Sequence, residues 1–167
     1  MLVVTVLGLV ACDGDKALDD TALVADSGGA LSDEDIAAQL WSDSAGYDAW
    51  SQYDPWLGVQ ASSSPHGPYV QIWVNDAAVS TLGGTVADGG VLVKESYDTE
   101  DGEATGLTLM AKIEGYDPDN GDWFWASYSM DGTVKKAGSE SGCYGCHEAG
   151  SDYSLIVTTA PASDTGA

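Results

Sequence analysis

Residues Cys143-Tyr144-Gly145-Cys146-His147 form a C-x-x-C-H pentapeptide, and no other segment narrows the possible folds of this chain so far. Two thiols separated by two residues and followed at once by an imidazole have the spacing at which c-type haem is attached. The thiols add across two vinyl groups of the porphyrin, and the histidine binds iron from the proximal side. Cys143, Cys146 and His147 are therefore read as cofactor-binding residues, His147 as the metal ligand, and the cofactor as one covalent haem c. A zinc site needs two further ligands, and only His66 and Cys12 remain to supply them. A thioredoxin-like pair expects a βαβ context that the pattern does not offer. A plain disulfide beside a chance histidine is the remaining alternative.

The length of 167 residues suits one domain with a sizeable core. Against 27 acidic residues stand five lysines and no arginine, a net charge of -22. Such a surface repels nucleic acid and anionic lipid head groups. It favours neutral or cationic partners.

Met1 to Ala11 is an apolar run too short to span a bilayer and resembles the apolar region of a bacterial secretory signal. Leu9-Val10-Ala11-Cys12 resembles a lipobox, which makes Cys12 the lipidated first residue of the mature chain. No lysine or arginine precedes the run. The expected organisation is a lipoprotein signal at 1–11 and a lipidated acidic linker at 12–31. A haem domain follows at 32–157, then a flexible tail at 158–167. Lipidation and haem attachment both place the chain in a bacterial cell envelope, facing the periplasm or the cell surface and held to a membrane by its lipid anchor.

Ser32 with Asp35 makes a capping box, and Leu31 with Ile36 a hydrophobic staple, so a helix is predicted from that point. Gly46 breaks or kinks it, Tyr47, Trp50 and Tyr53 continue at helical spacing, and Asp54-Pro55 ends the segment. Strands are predicted at 69–74, 91–97, 107–113 and 123–129, with a short fifth at 134–137. Asn75 caps a short crossover helix over 76–82. Asp101-Gly102, Asp119-Asn120-Gly121 and Asp131-Gly132 supply turns. The fold class is α+β: an antiparallel sheet of about five strands with N-terminal helices and a short crossover helix. The C-x-x-C-H motif falls on a loop rich in Gly and Ser.

Lys94 and Lys112 interrupt apolar strands in a chain that has few lysines. A buried lysine is costly unless paired or reactive, so each is read as a haem-propionate partner or an amine directed at the ring. The alternative is a solvated lysine on an outer strand face. Met110 is read as core filler rather than a distal ligand, and His66 as a structural histidine before Gly67-Pro68 rather than a distal ligand or proton donor.

His66-Gly67-Pro68-Tyr69-Val70 with Asn75-Asp76-Ala77-Ala78 resembles the first strand and helix of the cytochrome P-460 family. Val91-Leu-Val-Lys94-Glu95, Leu109-Met110-Ala111-Lys112 and the run Gly115 to Trp123 continue the resemblance in order, and Cys143 to His147 with Asp152-Tyr153 complete it. It covers roughly residues 40–155. It implies an antiparallel sheet packed with helices, one c-type haem with His147 proximal, and a homodimer. The family has two branches. One oxidises hydroxylamine and carries a lysine bonded to a haem meso carbon; the other, beta-type cytochrome c-prime, binds nitric oxide without that bond. On this resemblance Lys94 is the candidate catalytic crosslink, with Lys112 second. Three functions follow: an open iron that oxidises a small nitrogen compound and passes electrons to a redox partner protein, an open iron that holds a gas, and an electron-transfer cytochrome with both axial positions filled.

Overall fold

The computed structural model describes residues 30–156. The signal, Cys12 and the acidic linker up to residue 29, and the tail from residue 157, lie outside the described residues. Chain order is α1 (Asp33–Asp43), β1 (Gln60–Ala61), β2 (Tyr69–Val74), α2 (Asp76–Val79), β3 (Val91–Tyr97), β4 (Ala104–Lys112), β5 (Trp123–Tyr128), β6 (Val134–Gly138) and α3 (Ser141–His147). The six strands form one antiparallel sheet in sequence order. The α+β expectation holds, with one strand more than the five expected. The extra strand, β1, is two residues long, too short for alternation to reveal it.

Ser32 caps α1 with the expected box: its hydroxyl accepts from the Asp35 N–H, and the Asp35 carboxylate accepts from the Ser32 backbone. Asp33, Glu34 and Asp35 in the first turn favour the positive helix end. Ile36, Ala37 and Leu40 are the buried stripe. Beyond Gly46, only Tyr47–Ala49 turn helically, as a single 3₁₀ turn, shorter than the helical spacing to Tyr53 suggested. Asn75 caps α2, accepting from the Ala78 N–H at 3.0 Å. That helix ends at Val79, short of the expected 82.

Strand alternation divides the side chains between two faces. On one face, Val70, Ile72, Val74, Leu92, Met110, Trp123 and Trp125 form a core with Trp56, Ala78, Val86 and Ile156. Cys143, Tyr144 and Tyr153 pack against this core, so α3 docks there. Against the other face lies α1, where the Tyr128 hydroxyl donates to the Ala37 carbonyl at 2.9 Å and the Trp41 and Tyr128 rings stand 5.1 Å apart. The Glu95 carboxylate lies among the alternate residues of β3 that face away from Lys94 and accepts hydrogen bonds from the Tyr47 and Tyr97 hydroxyls. The C-x-x-C-H motif sits on helix α3 rather than on a loop. Gly142 and Gly145 hide the helix from propensity reasoning, and the packing of Cys143 and Tyr144 against the sheet supplies what propensity lacks.

Candidate functional site

Register builds one wall of a cavity. Ile72, Lys94, Thr108, Ser127 and Lys136 occupy one cross-strand row through β2, β3, β4, β5 and β6. Leu92, Met110 and Trp125 occupy the next row. Helix α3 and the segment Ser154 to Ile156 close the opposite side, and His66 reaches in from the loop before β2. The cavity holds about 160 Å³ and opens to solvent.

Of the residues read from the sequence, Cys143, Cys146, His147 and Lys94 meet in this cavity. Both cysteines are free thiols, Cys143 half-buried and Cys146 exposed. Burial, then the nearby Glu140 carboxylate, pushes the Cys143 thiol up. The His147 Nδ1 lies 2.9 Å from the Tyr153 carbonyl oxygen. With Nδ1–H donating to that carbonyl, Nε2 keeps its lone pair for a metal, the usual device for orienting an imidazole ligand. Burial is the main influence lowering the His147 pKa, with the hydrogen bond to Tyr153 acting the other way. Trp125 flanks the ring edge-on, with centres 4.8 Å apart.

Lys94 is half-buried on a central strand, not on a solvated edge. Burial pushes its ammonium down to about 8. Lys112 is not among the cavity residues. It is 7% exposed, and its ammonium donates to both Asp152 oxygens at 2.9 and 2.8 Å. Its partner is a carboxylate on the loop behind His147. Met110 is buried in the core and also lines the cavity.

The structure brings further residues to the cavity. His66, read as structural, lines the cavity with its ring centre 6.3 Å from that of His147. Burial first, then the charges of Lys94 and His147, push it down to about 3, so it is neutral. Lys136 completes the polar row and lies 3.8 Å from Glu140. Trp125 Nε1, in a side chain 4% exposed, and Ser154 Oγ, in one 1% exposed, are buried without hydrogen-bond partners among the described residues. An orphaned buried donor costs about 1–3 kcal/mol. A haem would fit this arrangement: Ile72, Leu92 and Met110 would line an apolar ring, and Trp125, Ser154 and the lysines would offer donors to its carboxylates.

The Cytochrome P460 family profile matches residues 45–158, most of the chain and all of the cavity wall. The chain belongs to the cytochrome P460 family. The cytochrome P460 assignment makes it a haem cytochrome with iron as its metal, in agreement with the cavity chemistry. No curated protein matches this cytochrome P460 chain significantly.

Proposed function

We propose that this cytochrome carries a single haem c, joined through thioethers to Cys143 and Cys146, with His147 on the proximal side and a small nitrogen compound as its ligand. The observation that carries the reading is the convergence of Cys143, Cys146 and His147 on one cavity with Lys94. The haem supplies a redox-active metal with a position for hydroxylamine or nitric oxide. The residues of the chain do the rest. His147 Nε2 is held ready by the Tyr153 carbonyl. The apolar wall excludes water, and Trp125, Ser154, Lys94 and Lys136 offer donors to carboxylates.

Lys94 supports oxidation as the reaction. Its lowered pKa gives the strand an amine with an available lone pair near pH 8, the form needed to bond to a ring carbon; that bond would replace the ring C–H, release two protons and pass two electrons to an external oxidant of the peroxide class. Such a bond distorts and retunes the macrocycle. Electrons then leave to a redox partner protein, and the charge of -22 favours a basic one. His66 supports a second reading, gas binding without turnover, because a further imidazole faces the same cavity. The proposal includes a homodimer and a lipid anchor at Cys12 in a bacterial envelope, facing the periplasm or the cell surface.

Peptide mass spectrometry of the denatured holoprotein tests the attachment. Haem retained on the peptide containing Cys143 and Cys146 is expected. Haem extracted into acidic organic solvent would refute the attachment.

A further inference from the structure

We propose that His66 is the second axial ligand of the haem iron, and that small ligands enter only by displacing it. This rests on the reading of His147 as the proximal ligand. The chain has two histidines, and folding brings both, from segments 81 positions apart, to one cavity. Their ring centres are 6.3 Å apart and their planes cross at 83°. A metal–imidazole nitrogen bond of about 2.0 Å puts two imidazoles on opposite sides of one ion at roughly 6–6.5 Å between centres. The separation is therefore that of two ligands to one metal. Near-perpendicular planes are compatible with this, since each ring need only contain its own bond to the metal.

The surroundings of the two rings differ in an informative way. His147 is fixed by the Tyr153 carbonyl. The ring nitrogens of His66 have no hydrogen-bond partner among the described residues, although the side chain is partly buried. A partly buried imidazole whose nitrogens are not committed to a neighbouring side chain or carbonyl is open to a metal ion. The loop that carries His66 is held close to the sheet yet is small. Ser62 N–H donates to the Pro68 carbonyl at 2.7 Å, and the Ser62 and Ser64 hydroxyls are 2.8 Å apart. Gly67, at φ 130°, lies where a Cβ would sit 3.4 Å from the Tyr97 carbonyl oxygen. Displacing His66 therefore disturbs a short loop and leaves the strands paired. One coordination bond replaces another, with no electron transferred.

The test is the ferric optical and electron paramagnetic resonance spectrum of the full-chain holoprotein, with haem load measured as the pyridine complex. The wild type is expected to be low-spin. His66→Ala is expected to be high-spin at unchanged haem load, to return to low-spin with added imidazole, and to bind cyanide at least about tenfold faster, because no internal ligand then competes. Lys94→Ala and Met110→Ala are expected to stay low-spin. A high-spin wild type, or a His66→Ala variant that stays low-spin without imidazole, would overturn the proposal. If His66→Ala does not fold, His66→Gln replaces it, with the same readings deciding. Failure with haem still covalently held removes only the role of His66. Loss of the haem into acid solvent removes the attachment as well.

Discussion

The Lys112 ammonium holds both carboxylate oxygens of Asp152, at 2.9 and 2.8 Å. Asp152 also accepts from the Val86 N–H at 2.7 Å, and its carbonyl accepts from Trp123 Nε1 at 2.9 Å. The next residue, Tyr153, offers its carbonyl to His147. Asp152 and Tyr153 both have left-handed backbones, at φ 45° and 62°, conformations that non-glycine residues adopt only under firm local constraint. Lys112 therefore acts on His147 through a loop, as a positioning residue.

Lys112→Met leaves Asp152 buried without its counter-charge. Breaking one side of a buried pair costs about 3–5 kcal/mol. Denaturant unfolding of the variant should show a loss of that size with thioether attachment intact. A variant as stable as the wild type would mean that the ion pair contributes nothing net.

Lys94→Ala should abolish any lysine–haem bond together with hydroxylamine oxidation, while the bonds to Cys143 and Cys146 remain. Peptide mapping and turnover assays read the two effects separately. Wild-type haem peptides carrying only the two thioethers would make gas binding the better reading and remove the oxidase assignment.

Tyr47, Tyr97, Tyr116 and Tyr128 are all pushed up, first by burial, then, for all but Tyr128, by carboxylates: Glu95 beside Tyr47 and Tyr97, and Asp33 beside Tyr116. A phenol whose folded pKa lies above its unfolded value near 10 keeps its proton in the folded state after the unfolded chain has lost it. Its stabilising contribution is complete below about pH 10 and declines as pH rises above that. Absorbance titration should therefore show some tyrosines ionising near pH 10 and the rest only as the protein unfolds. A single smooth transition of all eight tyrosines with native circular dichroism retained would contradict this.

Cys12→Ala should release the cytochrome from membranes into the soluble periplasmic fraction, since diacylation and amino-terminal acylation together give stable anchoring. Unchanged fractionation of that variant would count against the lipid anchor.

Strands were legible wherever side chains alternated in or out of apolar surroundings, as in Tyr69–Val74 and Val91–Tyr97, and the Ser32 and Asn75 caps were legible because their chemistry is local. Helix α3 was not, because Gly142 and Gly145 lower its intrinsic propensity and its contacts come from distant strands. Lys112 stood out as a buried charge, but its partner is 40 positions away. Trp125, Ser154 and Lys136 carried no sequence signal. Only register, fixed by pairing across six strands, brings them to the same cavity. His66 looked like a turn residue because Gly67-Pro68 follows it, and the turn is what carries its ring inward.

Every strand in this sheet pairs only with its neighbours in sequence, and α3, with no buried residue of its own, comes after the last of them. Such a sheet can zip from one hairpin to the next without waiting for distant segments. A chain emerging amino-terminus first would complete the receiving wall before Cys143 and Cys146 arrive. On the proposed attachment, exposed Cys146 would leave that step open to an outside enzyme late in assembly. The order of elements along the chain would then also be a schedule for maturation, with the pigment fastened last to a mould already set.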